Sequence, residues 1–191
     1  QVLNMASRTR DKIIDMADNL FYQQGFENTS FADIANKVGI SRGNFYHHFK
    51  SKDSILDAVI KRRLANTEKM LTDWHESENS AEARIKCFIN ILLMNRAKIK
   101  LYGCPVGSLT TELGKLSHPL LSDANKVFTL FKRWLTTQFK ALGYDDVNAE
   151  DLAMQVLARS QGAAIVASAF HDESFLYKEV EAFSLWLDDV N

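Results

Sequence analysis

The chain contains few residues that interrupt helices and few that could cross-link it. Its 191 residues include only 2 prolines and 8 glycines, so long helices joined by short loops can account for most of it. Two cysteines cannot form the disulfide framework of a small secreted protein. No apolar run approaches the roughly 20 residues that span a bilayer. Because strand signals are also weak, the sequence predicts an all-α protein.

The composition is otherwise that of an ordinary globular protein. Hydrophobic residues make up 46% of the chain and charged residues 25%, which suits one or two domains. The first ten residues lack the charged and apolar regions of a signal peptide, so we expect a cytoplasmic protein. The histidines show no metal-ligand spacing, and there is no glycine-rich phosphate loop or nucleophile elbow. We therefore expect no metal, no cofactor and no enzymatic activity.

The net charge of −1 conceals a separation of charge along the chain. Residues 37–63 contain 7 basic and 2 acidic side chains, a balance of +5. Residues 142–191 contain 10 acidic and 2 basic side chains, a balance of −8. Contact with phosphates requires a local basic patch rather than a positive whole chain. The first segment is therefore a candidate nucleic-acid-binding region, and the second is typical of a solvated face.

Residues 30–52 have the pattern of two short helices joined by a tight turn. Ser30 is a suitable N-cap for the first helix, whose apolar residues recur at helical spacing. Gly39 stands where a helix needs a residue at positive φ to end, and Ser41 can cap the second helix. Two helices joined in this way form a helix-turn-helix, whose second helix lies in the major groove of DNA.

The second helix and the residue that follows it carry groups suited to DNA. Arg42 can form two hydrogen bonds with guanine, and Tyr46 can donate to a phosphate or a base edge. Lys52 begins the next helix, where free backbone N–H groups also favour a phosphate. Phe45 and Phe49 are expected to point into the core. The alternative is a helix-turn-helix that serves only for packing.

This segment resembles the signature of TetR-type (tetracycline-repressor-type) transcriptional regulators. The matching residues are Gly-Ile-Ser at 39–41, Gly-Asn-Phe-Tyr-His-His-Phe-Lys at 43–50, and Lys52. The resemblance implies a ligand-responsive repressor that binds a palindromic double-stranded operator as a homodimer and releases it when a small-molecule inducer acts on the C-terminal domain. The alternative is a ligand-binding or interaction protein of the same fold without operator binding. The positions that match the family's DNA contacts are Ser41, Arg42, Gly43, Asn44, Tyr46, His47 and Lys52.

The pattern over the whole chain predicts about nine helices in two domains. A three-helix DNA-binding domain is expected over residues 1–52, and a helical ligand-binding and dimerisation domain over residues 53–191. A long fourth helix would begin after Ser51 and link the two, because about 24 helical residues span roughly 36 Å. Further helices are predicted over about 80–100, 105–116, 120–141, 149–171 and 174–189.

Aromatic residues are concentrated in the middle helices. Such residues at helical spacing usually fill a core, but as a group they also leave room for an apolar pocket between helices. The family resemblance places the inducer in this region. The predicted ligand-binding residues are Trp74, Phe88, Cys104, Phe131 and Trp134.

Cys104 precedes Pro105 at a predicted helix start. Backbone N–H groups at such a terminus stabilise a thiolate, which favours reaction with an electrophile. The alternative is a small residue buried at a helix junction. Residues 103–113 resemble a Gly-Cys motif in one branch of the family, which implies a response to electrophiles or oxidants. Cys87, in the middle of a helix, is expected to belong to the core.

The helix predicted near residue 160 is rich in small residues, which let a second helix approach closely. Both an ordinary intramolecular core and a dimer interface have this composition. The family resemblance implies that the last two helices pair with those of a second subunit in a four-helix bundle. The predicted interface residues are Val156, Gly162, Ala163, Val166, Ala167, Phe170 and Phe183.

Overall fold

The structure is a computed structural model, and it describes residues 2–190. Every regular element in this range is helical. The eleven helices are α1 (Val2–Gln24), α2 (Phe31–Val38), α3 (Arg42–His48), α4 (Lys52–Ser77), α5 (Ala81–Met94), α6 (Arg96–Tyr102), α7 (Pro105–Lys115), α8 (Leu121–Ala124), α9 (Lys126–Ala141), α10 (Asp146–Ala169) and α11 (Glu173–Asp189). The all-α prediction is confirmed, and joining the segments on either side of Asn95 and Asn125 gives the nine helices predicted.

The chain forms two compact units whose boundary differs from the predicted one after residue 52. The first unit comprises the described residues up to Ala65 together with Ser108–Asn125, and the second comprises Asn66–Gly107 and the described residues from Lys126 onward. The first half of α4 belongs to the first unit because it supplies part of that unit's core. These fully buried side chains of α4 are Ile55, Leu56, Val59 and Ile60.

Local interactions set the geometry of the helix-turn-helix. The Ser30 hydroxyl accepts a hydrogen bond from the Asp33 N–H at 3.1 Å, and the Asp33 carboxylate accepts one from the Ser30 N–H at 2.7 Å. These bonds from Ser30 hold the pKa of Asp33 below its usual value. After α2, Gly39 has φ 77° and its N–H donates to the Ala35 carbonyl. Glycine adopts this left-handed conformation without steric cost, so the chain can turn directly into α3.

Helix α7 is tied to the loop that follows α1. The Glu112 carboxylate accepts hydrogen bonds from the backbone N–H groups of Phe26 and Glu27, each at 2.9 Å. Leu109 and Leu113 of the same helix lie in the core of the first unit. At Gly25, which has φ 91°, an added Cβ would lie 2.9 Å from a Glu112 oxygen. Glycine is therefore required there both by backbone conformation and by space.

In the second unit, α10 packs against α9 and α6, and α11 packs against α5. Arg159 of α10 binds Glu179 of α11 at 2.6 Å, which fastens the last two helices together. The predicted helix over residues 80–100 is divided at Asn95, whose backbone leaves the helical region and whose side-chain amide donates to the Ile91 carbonyl at 3.0 Å. This break turns the start of α6 toward α10.

Candidate DNA-binding surface and ligand cavity

Two buried aromatic residues hold α3 in place. Phe45 and Phe49 are 1% and 3% exposed, so the prediction that they point inward is confirmed. Phe31 of α2 packs edge-on against Phe45, with ring centroids 5.2 Å apart. The Ser41 hydroxyl accepts a hydrogen bond from the Asn44 N–H at 3.3 Å and so caps the helix. The opposite face of α3 is thereby directed to solvent.

That outer face is polar and open. Tyr46 is 45% exposed, and its ring lies 5.4 Å from that of Phe31. Gly43 has no side chain, and no other atom of the protein lies within 4 Å of the place that a Cβ would occupy. The sugar-phosphate backbone of DNA can therefore come close to the helix there. The structure brings six of the seven predicted DNA-contacting residues together on this exposed surface. They are Ser41, Arg42, Gly43, Asn44, Tyr46 and His47.

Lys52, the seventh predicted residue, is engaged within the protein. Its ammonium group donates to the carbonyls of Phe26 at 2.8 Å and Glu27 at 3.3 Å. It also lies 4.3 Å from the centroid of the Phe26 ring. Lys52 therefore ties the start of α4 to the loop after α1, a role that the sequence did not indicate. Its contact with a phosphate stays a prediction.

Part of the basic charge in residues 37–63 is paired with acidic side chains of the same chain. Arg62 binds Asp11 and, at 2.6 Å, Asp15. Arg63 binds Asp18 at 2.6 Å. These pairs join α4 to α1 and leave less positive charge for DNA than the balance over residues 37–63 suggested. The basic residues that remain close to α3 in sequence are Lys37, Arg42 and Lys50.

The second unit contains a cavity of about 220 Å³. Its walls come from α4, α5, α6, α9 and α10 and from the first residues of α7. Phe88, Phe128 and Phe131 supply aromatic surface, and the rings of Phe88 and Phe131 meet edge-on at 5.1 Å. None of the described residues that line the cavity carries a charge. Such a space is suited to an apolar molecule.

The cavity contains three of the five predicted ligand-binding residues. Phe88, Cys104 and Phe131 line it, but Trp74 and Trp134 do not. The two tryptophans pack against each other instead, with ring centroids 5.7 Å apart. Trp134 lies about one turn beyond Phe131 on α9, and its indole ring is directed to α4 rather than into the cavity.

Four polar residues in the cavity wall, Thr67, Asn95, Ser160 and Gln161, were missed from the sequence. Thr67 of α4 is 9% exposed, and its hydroxyl has no hydrogen-bond partner among the described residues. Gln161 of α10 approaches α7 so closely that a Cβ at Gly107 would lie 2.3 Å from the Gln161 side-chain oxygen. The signal for Thr67 was available, because it interrupts the apolar stripe of Leu64 and Leu71 at helical spacing.

The two cysteines have different surroundings. The Gly107 N–H points at the Cys104 sulfur from 3.5 Å, so Cys104 occupies the capping position of α7 at the cavity wall. Cys87 lies on α5, where burial raises the pKa of its thiol and the nearby Glu78 raises it further. Because the thiolate is the reactive form, Cys87 is a poor nucleophile.

The predicted dimer interface is corrected at four positions. Val156, Ala163, Ala167 and Phe183 are buried within the subunit. Their burial leaves little of their surface for contact with a second subunit. Gly162, Val166 and Phe170 remain accessible, together with Met154 and Ile165, which are 49% and 66% exposed. Helix α10 is thus apolar on two sides, and only one of them is covered within the chain.

Two other kinds of feature are absent from the part of the chain that the structure describes. No three His, Cys, Asp or Glu side chains there come together as metal ligands. No helix within the same residues has the length and apolar character needed to cross a membrane.

Known protein families match the chain in both units. The family described as bacterial regulatory proteins, tetR family, matches residues 13–59. The family described as transcriptional regulator LmrA/YxaF-like, C-terminal domain, matches residues 81–181. The chain belongs to the TetR family of transcriptional regulators. In this TetR-family regulator the first match contains the helix-turn-helix, and the second contains α10 and most of the cavity lining.

Individual relatives extend over nearly the whole regulator. It is 27% identical over 179 residues to an uncharacterized HTH-type transcriptional regulator in the lacX 3'region of Lactococcus lactis subsp. lactis, covering 92% of this chain and 91% of that protein. It is 27% identical over 177 residues to the uncharacterized HTH-type regulator YxaF of Bacillus subtilis (strain 168), covering 89% and 91%. A crystal structure of a TetR transcriptional regulator from Legionella pneumophila has a TM-score of 0.81 at 26% identity and covers 94% of this chain and 95% of that one.

The family assignment establishes a DNA-binding transcriptional regulator. The exposed hydrogen-bond donors on α3 agree with membership in a family of DNA-binding regulators rather than of enzymes. The Gly-Cys branch suggested by residues 103–113 stays a prediction, because the match over residues 81–181 describes the LmrA/YxaF-like C-terminal domain.

Proposed function

We propose that this regulator is a repressor that binds a palindromic operator as a homodimer and releases it when a small apolar molecule occupies the cavity of the second unit. One observation carries the proposal. Helix α4 supplies Ile55 and Leu56 to the core beneath the recognition helix, and Thr67 and Met70 of the same helix line the cavity. A ligand that alters the position of α4 therefore acts on the element that supports α3.

The DNA-binding step uses the exposed face of α3. Arg42 and Asn44 offer hydrogen-bond donors for base edges, and Tyr46 offers one for a phosphate. A twofold dimer presents two such helices to successive major grooves, about 34 Å apart along the duplex. This geometry supports a palindromic operator with half-sites one helical turn apart or a multiple of it.

The dimer in this proposal uses the uncovered face of α10. Met154, Gly162, Ile165 and Val166 recur at helical spacing along it and are all accessible in the subunit. Gly162 lacks a side chain, so a partner helix can approach closely. An apolar helix face of this kind is usually covered by another element.

Helix α7 offers a second connection between ligand and DNA. It begins at the cavity with Pro105 and Val106, and seven residues after Pro105 it binds the loop following α1 through Glu112. The cavity ligand can change operator affinity only if it binds one conformation of these helices better than another. Pressure on α4 or α7 from a bound molecule would supply that difference. An electrophile that adds to Cys104 would act at the same wall.

Selection of binding sites from random duplex DNA tests the proposal and identifies the operator in the same experiment. The purified protein should enrich a palindrome, and light scattering should show two subunits per molecule. Fluorescence anisotropy with the selected DNA should then report weaker binding when the cavity is occupied. Failure to enrich any sequence would favour the alternative, a ligand-binding protein of this fold without operator binding.

A further inference from the structure

We propose that the cavity binds a neutral, largely apolar molecule of about nine non-hydrogen atoms with one hydrogen-bonding group, and that Thr67 recognises this group. The inference rests on the proposed function and adds the chemical class of the ligand and the residue that selects it. Size, charge and one unpartnered hydroxyl each restrict the ligand independently.

The cavity volume sets the size. An engineered apolar cavity of about 150 Å³ holds benzene, which has about six non-hydrogen atoms. The cavity here measures about 220 Å³. By proportion it holds about nine such atoms, enough for a substituted benzene ring. The edges and faces of Phe88, Phe128 and Phe131 also suit an aromatic ligand, because aromatic rings pack favourably edge to face.

The lining excludes a charged ligand. The described residues around the cavity offer apolar side chains, hydroxyls, amides and one thiol, but no acidic or basic group. An ion that enters such a space loses its hydration without gaining a counter-ion, which is strongly unfavourable. The ligand must therefore be neutral at the pH at which it binds.

Thr67 supplies the polar contact. Its side chain is nine-tenths buried in the cavity wall, and its hydroxyl forms no hydrogen bond with any described residue. A hydroxyl that lines the cavity without a partner in the protein can both donate to and accept from a molecule bound there. Ser160 provides the contrast. It lines the same cavity and is 5% exposed, but its hydroxyl donates to the Leu157 carbonyl of its own helix at 2.8 Å.

The position of Thr67 on α4 connects recognition with response. It lies one turn after Arg63, which binds Asp18 of α1 at 2.6 Å. A ligand hydroxyl or carbonyl that bonds to Thr67 therefore acts on α4 next to the ion pair that holds this helix to α1. A ligand without that group fills the same volume but gains no directed contact with α4.

The test compares matched probes and matched variants. The probes are 4-ethylphenol, its isostere 4-ethyltoluene, and the anion 4-ethylbenzoate. The proteins are wild type, Thr67→Val, Thr67→Ser and Ser160→Ala, each checked for folding by circular dichroism. Dissociation constants come from ligand-observed NMR titrations at pH 7. We expect wild type to bind 4-ethylphenol about tenfold more tightly than 4-ethyltoluene, which is the usual effect of one hydrogen bond. The anion should not bind.

The variants show whether Thr67 is the source of the preference for 4-ethylphenol over 4-ethyltoluene. Thr67→Val should abolish it by weakening 4-ethylphenol alone, whereas Thr67→Ser and Ser160→Ala should retain it. The inference is overturned if Thr67→Val keeps the preference, if Ser160→Ala loses it equally, if the anion binds as well as the phenol, or if neither neutral probe binds.

Operator affinity is measured separately in the presence of 4-ethylphenol. Selective binding without any change in operator affinity would contradict the proposed function and leave the ligand inference standing. Release of the operator by 4-ethyltoluene and 4-ethylphenol alike, with equal affinities, would support the proposed function and overturn the role of Thr67.

Discussion

Glu112 and Phe26 are joined by a hydrogen bond of 2.9 Å from the backbone N–H of Phe26 to the carboxylate, although 86 positions separate them in the chain. The same carboxylate accepts the N–H of Glu27 at 2.9 Å. The loop that precedes the helix-turn-helix therefore depends on a helix whose other end lines the ligand cavity. Both acceptor oxygens are used, so the contact requires a carboxylate.

Replacing Glu112 by glutamine should destabilise the first unit. The amide keeps one acceptor oxygen but directs an NH₂ group at the second backbone N–H, which costs about 1–3 kcal/mol. Urea unfolding followed by circular dichroism measures the loss. Glu76→Gln, at an exposed position of α4, is the matched control and should change the unfolding free energy by less than about 0.5 kcal/mol. Equal effects of the two substitutions would contradict the role assigned to Glu112.

Arg42→Gln should weaken operator binding without unfolding the protein, because Arg42 is exposed on α3. If its guanidinium neutralises a phosphate, the slope of log affinity against log salt should become shallower by about one per subunit. Anisotropy titrations at several salt concentrations measure this. Arg133→Gln, an exposed change in the second unit, should leave the slope unaltered. If Arg42→Gln keeps the wild-type slope of log affinity against log salt, Arg42 does not contact a phosphate.

Tyr46→Ala should also weaken operator binding and leave the dimer intact. Lys52→Ala is a less direct test than the sequence suggested, because it removes the bonds to the Phe26 and Glu27 carbonyls as well. We expect Lys52→Ala to lower both operator affinity and the melting temperature, whereas Tyr46→Ala lowers affinity alone. Thermal unfolding beside anisotropy separates these effects. Unchanged affinity in both variants would contradict the placement of DNA on this surface.

Ile165→Glu should convert the dimer into folded monomers. Ile165 is 66% exposed in the subunit, so a carboxylate there does not disturb the chain's own core, but it would be buried without a partner in the dimer. Ala163→Glu should instead unfold the subunit, because Ala163 is 5% exposed. Light scattering and circular dichroism distinguish the outcomes. Leu101→Glu, at an exposed position of α6 outside the apolar face of α10, is the control. A stable Ile165→Glu dimer would place the interface elsewhere.

A quinone should modify Cys104 ahead of Cys87, because burial and Glu78 raise the pKa of the Cys87 thiol. If addition at the cavity wall releases the operator, Cys104→Ser should bind DNA normally and no longer respond. Peptide mapping by mass spectrometry and anisotropy measure the two steps. Unmodified Cys104 in a protein that stays on DNA would make this cysteine a structural cap of α7.

Acidification should destabilise the first unit through His48. Partial burial lowers the pKa of this imidazole below 6.5, and the positive charges of His47 and Arg10 lower it further. Between the lowered native pKa and the unfolded value the unfolded chain binds more protons, so stability rises with pH across that window. This contribution to stability is fully present above about pH 6.5 and is lost as the pH falls through the native pKa.

Urea unfolding at several pH values between 5 and 7.5 tests this expectation. His48→Gln should flatten the dependence of the unfolding free energy on pH, whereas His75→Gln, at an exposed position, should not. A wild-type protein whose stability is constant over this range would exclude the contribution of His48.

Some features of this regulator follow from the sequence because they depend on residues a few positions apart. Ser30 and Asp33 form their capping box across one helical turn, and Gly39 ends α2 because glycine tolerates positive φ. The inward direction of Phe45 and Phe49 follows from the helical period. These local rules were sufficient to place the recognition helix and to identify the family resemblance.

Other features were decided only by tertiary structure. Apolar spacing shows that Val156 and Ile165 lie on apolar faces of α10, but only the packed neighbours show that the first is buried and the second exposed. For the same reason Thr67 lines the cavity although no role was predicted for it, and Trp134 does not, since a cavity is defined by helices distant in sequence. The bond of Glu112 to Phe26 is likewise a long-range contact. The sequence by itself determined the helices and the DNA-reading motif, because those depend on local periodicity and capping; the cavity, its unpartnered hydroxyl and the uncovered face of α10 exist only after distant helices have packed.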